Sequence, residues 1–261
     1  MTQHVVSPLL KYSGFDGNRH GLIGPRNATD EDHAIVLSGG GIDSFMSTIA
    51  YCDMVPVKKL TFLNIDYGQQ SAAAEQYMTD RQVDFFRNTH GIDATAIVIN
   101  DPLVAYLRNP LANRKDEKAK AGNYATNDDY VPNRNARFVF AAAGLAETPY
   151  AGTIILGAVG NVNQDNSLVF LKHAYETIKN SNRDVIPRLY APFVLFTKSM
   201  VALYAEERGL TSQLPKLSTS CFDGNDMSGE VVIQCGECRS CSSLHQAFKF
   251  AGVEDPYRYG V

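Results

Sequence analysis

The chain has 261 residues, a net charge of -4 at pH 7 and five cysteines. The acidic balance argues against a protein that grips DNA or RNA through a basic groove, so we expect no stable nucleic-acid binding. No stretch approaches the roughly 20 apolar residues of a membrane span, and the N-terminus carries no recognisable secretory signal. We therefore predict a cytoplasmic protein without a membrane partner, in which an odd number of cysteines favours a metal site over a disulfide framework.

Residues 1–33 are polar and rich in turn-forming residues, which predicts a loosely packed N-terminal arm. From Ala34 onward, short apolar runs alternate with helical patterns, and this alternation predicts a parallel sheet with helices on both faces. The predicted strands are AIVL, KKLTFLNID, ATAIVIN and TIILGAV. The first predicted helix begins at Ser44. The others span Ala72–Thr89, Ala136–Glu147, Leu168–Lys179 and Lys198–Arg208. These elements predict an α/β domain over residues 34–210, followed by a C-terminal segment over residues 211–261. In such a parallel sheet, ligands are expected at the carboxyl ends of the strands.

A glycine-rich elbow, SGGGIDS, joins the first predicted strand to the first predicted helix. The free N–H groups of a helix start attract phosphate, and glycines let the backbone come close to it. The elbow lacks the lysine of the common phosphate loop G-x-x-x-x-G-K-[ST], and it also differs from G-x-G-x-x-G. A plain tight turn with a serine N-cap is the alternative interpretation.

Four cysteines near the C-terminus, Cys221, Cys235, Cys238 and Cys241, follow the pattern C-x13-C-x2-C-x2-C. Two-residue gaps let neighbouring thiolates point into one tetrahedral site, so we predict zinc with four sulfur ligands. An iron–sulfur cluster is the alternative, because close cysteine runs also serve that role. A site closed by four sulfurs leaves no position for water, and we expect it to brace the fold. Cys52 stands alone in a helix and is predicted to be a small buried hydrophobe.

These motifs, together with NIDYGQQSAAAEQ, YVPNRNARFVFAAAGLAE and CGECRSCSSLHQAFKFAGVEDPYRY, closely resemble the 7-cyano-7-deazaguanine synthase (QueC) family from about Ala34 to Tyr259. The elbow resembles the S-G-G-x-D-S loop of ATP pyrophosphatases, with one extra glycine. The resemblance implies an α/β nucleotide-binding sheet of the adenine nucleotide alpha hydrolase type, a zinc-bound C-terminal segment and a homodimer. It also implies a ligase that converts 7-carboxy-7-deazaguanine to the nitrile with ATP, magnesium and ammonia, by adenylation, amide formation and dehydration.

The resemblance carries over to individual positions. It implies that the ATP phosphates and magnesium are held by Ser38, Gly39, Gly40, Gly41, Asp43 and Ser44. It assigns Tyr67, Gln69 and Asn135 to the same nucleotide site. Arg134 is expected to bind phosphate or the substrate carboxylate, since a planar guanidinium suits either, with a structural helix-cap salt bridge as the alternative. Lys198 is expected to neutralise phosphate, with an exposed helix-start lysine as the alternative, so that Asp43, Arg134 and Lys198 are the predicted catalytic residues.

The substrate side departs from the family pattern. After its fourth strand the family carries a stretch of the type Ser-Gly-Tyr-Pro-Asp-Cys-Arg, whereas this chain has the shorter GAVGNVNQDNSLVFL without the arginine. Asn161, Asn163 and Asp165 are the candidates for binding a purine-like edge, because amides and carboxylates pair with such edges. An ordinary Asx-rich loop is the alternative. Leu244 also replaces an arginine that usually follows the last cysteine.

Several functions remain open. Within the leading hypothesis, the attacking amine is ammonia, or it is the N-terminal amine of a partner protein, as is thought for QueC-like proteins of antiphage operons. The altered substrate segment and the N-terminal arm make the protein amine a serious alternative to ammonia. A tRNA-modifying ATP pyrophosphatase ranks lower, because such an enzyme needs a reactive cysteine pair besides the metal ligands and only Cys52 remains. A zinc-knuckle binding module without activity ranks last, because Asp43, Ser44, Arg134 and Lys198 are retained.

Overall fold

A computed structural model of the protein describes residues 21–24, 32–102, 131–148, 150–160, 164–223 and 226–260. The strands of its main sheet are β1 (Leu22–Ile23), β2 (His33–Leu37), β3 (Lys59–Asp66), β4 (Asp93–Asn100), β5 (Thr153–Leu156) and β6 (Arg188–Tyr190). They lie in the order β1-β6-β5-β2-β3-β4, and each pairing is parallel except the antiparallel edge pair β1–β6. The predicted α/β class with a mostly parallel sheet is confirmed.

The helices cover both faces of this sheet. They are α1 (Ile42–Met54), α2 (Ala72–His90), α3 (Arg134–Glu147), α4 (Leu168–Ser181), α5 (Lys198–Glu207), α6 (Leu214–Leu217) and α7 (Arg239–Ala251). Alternate residues of β2 point into two separate cores. Ala34 and Val36 pack with apolar residues of α1, α2, α5 and α7, whereas Ile35 packs with those of α3 and α4. A strand buried on both faces has no polar alternation, which explains its continuous apolar sequence.

The strand order reverses beside β2, and this reversal creates a crevice. The chain runs from β2 through β3 to β4 on one side, and then returns to β5 on the other side of β2. Gly157 follows β5 directly, and a Cβ added there would lie 2.6 Å from the backbone nitrogen of Ser44 in the first turn of α1. The end of β5 therefore packs against the start of α1, at the switch point where open α/β sheets bind ligands.

The C-terminal segment packs on the same sheet-covering helices. Its strands β7 (Asp226–Ser228) and β8 (Val231–Ile233) form an antiparallel hairpin, and α7 packs against α5. The buried Gln234 fixes the last described residues, because its backbone N–H donates to the Arg258 carbonyl at 2.9 Å and its carbonyl accepts from the Gly260 N–H at 2.8 Å. These bonds join the residues that precede α7 to the residues that follow it.

The sequence prediction matches the long elements and misses the short ones. The four predicted strands correspond to β2–β5, and α1 begins at Ile42, two residues before the predicted start, because Gly41 serves as its extended N-cap. Strand β1 lies within residues 1–33, and β6 has only three residues, too few to show a pattern. Within the described residues, no helix combines the length and the apolar character needed to cross a membrane.

Candidate active site

A cavity of about 310 Å³ lies at the carboxyl ends of β2, β3 and β5. The predicted site residues that line it are Ser38, Gly39, Gly41, Asp43, Ser44, Tyr67, Arg134, Asn135, Asp165, Lys198 and Cys221. Gly40 and Gln69 do not line the cavity but bond to the lining residues Thr219 and Tyr67. The other three predicted cysteines lie beside Cys221. Asn161 and Asn163 fall outside the described residues. The fold therefore brings together side chains from elements that are far apart in the sequence.

Several helices begin at this cavity, and each contributes lining residues from its first turn. Asp43 belongs to the start of α1, Arg134 to that of α3, Lys198 to that of α5 and Ser240 to that of α7. A helix N-terminus carries a partial positive charge and N–H groups without intrahelical partners. Several such ends around one cavity make it a favourable place for a ligand with several negative charges.

The glycine loop contains one glycine that the fold requires and two that face the cavity. Gly40 has a φ of +63°, and a Cβ added there would lie 2.6 Å from the Glu75 carbonyl oxygen in the first turn of α2. Gly39 and Gly41 line the cavity, and a Cβ on either would meet only ordinary contacts at 3.5 Å or more. The absence of a side chain at Gly39 and Gly41 therefore leaves room for a ligand in the cavity. At Gly40, the absence of a side chain lets α2 pack closely against the loop.

The two serines of the loop differ in their bonding. The Ser38 hydroxyl is buried, accepts from the Gly40 N–H at 3.2 Å and lies within hydrogen-bond distance of Thr79 and Gln82 at 3.0 and 3.3 Å. It is thus used within the protein to hold the loop. Ser44 donates to the Gly41 carbonyl at 3.1 Å and faces the cavity, where its oxygen can still accept a hydrogen bond.

Asp43 and Lys198 form an ion pair on the cavity wall. Lys198 Nζ donates to Asp43 Oδ2 at 2.8 Å, and the two side chains are 23% and 24% exposed. The other carboxylate oxygen, Asp43 Oδ1, is buried and has no hydrogen-bond partner among the described residues. A buried carboxylate oxygen without a donor is costly unless a cation or donor completes it. Asp43 Oδ1 is therefore one oxygen that a hard cation such as Mg²⁺ could use as a ligand beside the glycine loop.

Tyr67 and Arg134 form another part of the cavity wall. The Arg134 guanidinium lies 6.0 Å from the centroid of the Tyr67 ring, and its Nη1 donates to the Tyr67 hydroxyl at 3.4 Å. Phe138 packs against the Tyr67 ring at a centroid distance of 5.8 Å, and Phe222 joins the same cluster. This wall offers aromatic faces beside a fixed cation, which suits a planar ligand that carries a carboxylate.

Gln69 positions the turn that follows β3. Its Oε1 accepts from the Tyr67 N–H at 2.9 Å, while its Nε2 donates to the Ile65 carbonyl at 3.2 Å and to Glu75 Oε2 at 3.0 Å. The Glu75 carboxylate also accepts from Ser71 at 2.6 Å and lines the cavity. Burial raises the pKa of Glu75 from its ordinary value. Gln69 therefore links the aromatic wall to an acidic side chain that faces the cavity.

Asp165 and Asn135 hold the start of α3. Asp165 lies in a short 3-10 helix, Gln164–Asn166, and its carboxylate accepts from the Asn135 backbone N–H at 3.2 Å and from Asn135 Nδ2 at 3.4 Å. This contact satisfies an N–H group that α3 itself leaves unpaired. Asp165 is thus an N-terminal cap supplied by a distant segment, and it faces the cavity as well.

The four cysteines of the C-terminal segment come together. The Sγ atoms of Cys221, Cys235, Cys238 and Cys241 lie within 4.8 Å of one another, as four ligands of one ion must. Bonds of about 2.3 Å to a tetrahedral zinc would separate the sulfurs by about 3.8 Å. The described distances include 3.9 Å between Cys235 and Cys241 and 3.4 Å between Cys238 and Cys241. Backbone N–H groups also point at three of the sulfurs, a common feature of metal-bound thiolates.

The cysteine cluster adjoins the cavity. Cys221 and Phe222 line the cavity, and Thr219, two residues before the first ligand, donates its N–H to the Gly40 carbonyl at 2.9 Å. A backbone bond therefore joins the metal segment to the glycine loop. Cys52 lies apart in α1, where burial raises the pKa of its thiol.

The sequence comparisons identify the family. A profile of the family described as queuosine biosynthesis protein QueC matches residues 33–252. This chain belongs to the QueC family. The 7-cyano-7-deazaguanine synthase of Methanothermobacter thermautotrophicus is 28% identical over 236 residues, which cover 87% of this chain and 98% of the relative. That of Methanosphaera stadtmanae is 30% identical over 241 residues, covering 87% and 97%.

A structural comparison finds a more distant protein. The U34-tRNA thiolase NcsA from Methanococcus maripaludis, with its 4Fe-4S cluster, is 13% identical to this QueC-family chain. The match has a TM-score of 0.43 and covers 77% of this chain and 61% of the other. At this level of similarity, neither its cluster nor its RNA substrate is carried over.

Sequence reasoning did not assign several residues of this QueC-family cavity. Glu75, Phe138, Thr219 and Phe222 were not predicted to take part, although each lies in or beside a segment that carried the resemblance. Gly157 was not predicted either, and it begins the segment that departs from the family pattern. Glu75 follows Gln69 by six residues, and this spacing does not indicate a position in the cavity. Glu75 reaches the cavity because α2 packs against the glycine loop. Phe222 follows the first cysteine ligand, and its position beside Tyr67 depends on the tertiary structure.

Proposed function

We propose that this chain is an ATP-dependent ligase that activates the carboxylate of 7-carboxy-7-deazaguanine as an adenylate and transfers the acyl group to an amine. One observation carries the proposal: the Asp43–Lys198 pair, with its unpartnered carboxylate oxygen, faces the same cavity as the glycine loop. Membership of the QueC family, whose relatives are named 7-cyano-7-deazaguanine synthases, supports the substrate class. With ammonia as the amine, the product is the amide and then 7-cyano-7-deazaguanine.

The glycine-loop side would bind the triphosphate. Gly39 and Gly41 leave space for phosphate oxygens to approach the backbone, and the start of α1 favours their negative charge. Lys198 stands at the start of α5, where its ammonium can compensate the charge that develops on pyrophosphate as it leaves. Asp43 orients this ammonium. The substrate carboxylate oxygen attacks the α-phosphate and pyrophosphate leaves. That oxygen is then part of the AMP leaving group, which makes the acyl carbon a good electrophile.

The aromatic side would bind the deazaguanine. The faces of Tyr67, Phe138 and Phe222 suit stacking on a flat bicyclic ring, and Arg134 beside them suits the ring's carboxylate. Asp165 remains the described candidate for binding the polar edge of the ring. In this arrangement the carboxylate points from the aromatic wall toward the glycine loop, where the α-phosphate of ATP would lie.

Two metals belong to the proposal. Asp43 Oδ1 would hold Mg²⁺, which neutralises phosphate charge when bound and orients the triphosphate. Cys221, Cys235, Cys238 and Cys241 would hold Zn²⁺, which braces the segment that contains Thr219 and Phe222. An iron–sulfur cluster is the alternative occupant of the four thiolates. A homodimer, which the family resemblance implies, completes the proposal.

The first test is direct. The purified protein is incubated with ATP, Mg²⁺ and 7-carboxy-7-deazaguanine, with and without ammonium, and the products are followed by mass spectrometry. We expect pyrophosphate and AMP only when the deazaguanine is present, and the amide or nitrile only with ammonium. Failure to consume ATP in the presence of the deazaguanine would overturn the proposal.

A second candidate uses a protein amine. The segment from Gly157 to Leu171 departs from the family pattern at the substrate side, which favours testing an acceptor other than ammonia. Under this candidate, the same incubation forms the adenylate and AMP but no nitrile. Transfer of the deazaguanine mass to the N-terminus of a supplied polypeptide would then identify the amine.

A further inference from the structure

We propose that Glu75 accepts the proton that is released when the amine attacks the activated carboxylate. This inference rests on the proposed function and assigns one chemical step within the same cavity to a residue outside the predicted site. Glu75 lies in the first turn of α2, and its carboxylate lines the cavity. Its Oε2 lies 3.7 Å from the position of a Cβ added to Gly39, so it stands directly beside the glycine loop.

The chemistry of acyl transfer requires such an acceptor. The lone pair of the amine nitrogen forms a bond to the acyl carbon, and the bond from that carbon to the AMP oxygen breaks. The electron pair of the broken bond leaves with AMP. The nitrogen, which has become positively charged, must lose one proton, and this proton passes to the Glu75 carboxylate. The step yields amide, AMP and a protonated Glu75, so atoms and charge balance.

The geometry holds Glu75 in place without using up its oxygens. Ser71 Oγ donates to Oε1 at 2.6 Å, and Gln69 Nε2 donates to Oε2 at 3.0 Å. A carboxylate has about four lone-pair positions, so two remain to accept a proton. Because Gln69 also accepts from the Tyr67 N–H, the position of Glu75 is fixed relative to the aromatic wall.

The electrostatic surroundings suit a proton acceptor. Burial is the largest influence and raises the pKa of Glu75, and the neighbouring Asp66 raises it further. The hydrogen bonds from Ser71 and Gln69 and the charge of Arg134 lower it, but the net direction is upward. An acceptor works best when its pKa lies close to the working pH, and a raised glutamate approaches that condition.

The other carboxylates among the described cavity-lining residues are already engaged. Asp43 is paired with Lys198 at 2.8 Å, where protonation would break the ion pair. Asp165 accepts two hydrogen bonds from Asn135 at the start of α3. Glu75 differs from Asp43 because its two partners are neutral donors that tolerate either protonation state. It differs from Asp165 because it lies directly beside the glycine loop and does not cap α3.

The first experiment separates activation from transfer. Substrate-dependent exchange between ATP and pyrophosphate reports activation, and addition of ammonium to preformed adenylate reports transfer. We expect Glu75→Gln to lower the rate of transfer roughly 10²- to 10⁴-fold and to change exchange far less. The substituted amide keeps the shape of the side chain and can still bond to Ser71 and Gln69. Glu176→Gln, on the exposed side of α4, serves as the matched control.

The outcomes distinguish the two proposals. Transfer at the wild-type rate in Glu75→Gln overturns the role of Glu75 and leaves the proposed function standing. An equal loss of exchange and transfer places Glu75 in ATP binding, which also overturns the inference. Absence of exchange in the wild-type protein overturns the proposed function itself.

A second experiment uses the pH dependence of transfer. Ser71 is the N-cap residue of α2 but its side chain makes no capping bond, so Ser71→Ala should fold normally. Loss of the hydrogen bond from Ser71 raises the pKa of Glu75. The Glu75 carboxylate then becomes unprotonated, and able to accept a proton, only at higher pH. The rising limb of the transfer rate should move up by roughly one pH unit. Because the titration of ammonia is the same for both proteins, the ratio of their rates at each pH isolates the enzyme group. An unshifted limb would overturn the inference.

Discussion

The glycine loop and the cysteine cluster form adjoining walls of one cavity, yet their bonding differs. The loop keeps free groups: a Cβ added to Gly39 or Gly41 would meet no atom closer than 3.5 Å, and Asp43 has a carboxylate oxygen without a partner among the described residues. The cysteine cluster keeps none, since four sulfurs of Cys221, Cys235, Cys238 and Cys241 close on one point. A wall with free donors and acceptors can bind a ligand and take part in a reaction. A cluster whose ligand atoms all face one ion can only stabilise the surrounding fold.

The two walls are nevertheless connected. Thr219 bonds to Gly40, and Gln82, which contacts Ser38, donates to the Leu217 carbonyl at 2.8 Å. The first contact joins the loop directly to the residues just before the first cysteine, and the second joins them through Gln82 of α2. Under the proposed function, the loop would carry the chemistry and the cluster would supply rigidity, and the two hydrogen bonds are the route by which loss of the cluster would weaken the loop.

The largest effect is expected from removing one metal ligand. Cys238→Ser should abolish metal binding and lower the free energy of unfolding by at least about 4 kcal/mol, because loss of a metal is among the most destabilising changes. Metal content by mass spectrometry and thermal unfolding measure this, and the metal found in the wild-type protein decides between zinc and iron. Cys52→Ser is the matched control and should keep the metal. A metal-free variant with wild-type stability and ATP affinity would refute the supporting role.

The next largest effect concerns Asp43. Asp43→Ala removes the partner of Lys198 and the unpartnered oxygen, so ATP–pyrophosphate exchange should fall by about 10²–10³-fold or more. Metal content and the melting temperature should remain those of the wild type. Asp53→Ala is the control in the same helix, because Asp53 pairs with Arg208 and Tyr204 away from the cavity. Unchanged exchange in Asp43→Ala would remove the main support for the proposed function.

A pair of glycine substitutions sharpens the comparison within the loop. Gly40→Ala should lower the free energy of unfolding by about 2 kcal/mol or more, because its φ is +63° and its Cβ would collide with the Glu75 carbonyl. Gly41→Ala should leave stability nearly unchanged and weaken ATP binding, since its added methyl group enters the space kept for phosphate. Chemical denaturation and ATP titration measure the two effects. Equal stability losses in both variants would contradict this division of roles.

The α/β class, the long elements and the cysteine cluster could be predicted from the sequence because their signals are local. Alternating apolar runs gave β2–β5, and two-residue cysteine spacings identified a cluster whose sulfurs the fold then brings together. The roles inside the loop were not visible. Nothing in SGGGIDS distinguishes Gly40 from Gly41, because the difference depends on how closely α2 packs over the loop.

The substrate side was least predictable for the same physical reason. Glu75, Phe138 and Phe222 reach the cavity only after three separate elements have packed together, and no spacing in the sequence records that. Asp165 was predicted as a substrate ligand from its residue type. Its carboxylate caps α3 through Asn135, a contact across 30 residues of sequence. A residue type indicates what a side chain can do, and the tertiary contacts determine which part of that it uses.

The smallest expected effect therefore tests Asp165. Asp165→Ala removes the cap of α3 and should lower the free energy of unfolding by about 1 kcal/mol. If the carboxylate also binds the polar edge of the deazaguanine through its remaining lone pairs, the KM for that substrate should rise roughly 10- to 100-fold while the KM for ATP stays constant. Asp165→Asn keeps an acceptor for the Asn135 N–H and should recover stability without recovering the KM. A normal KM in both variants would show that Asp165 only caps α3, and substrate specificity would then have to come from the aromatic wall and Arg134.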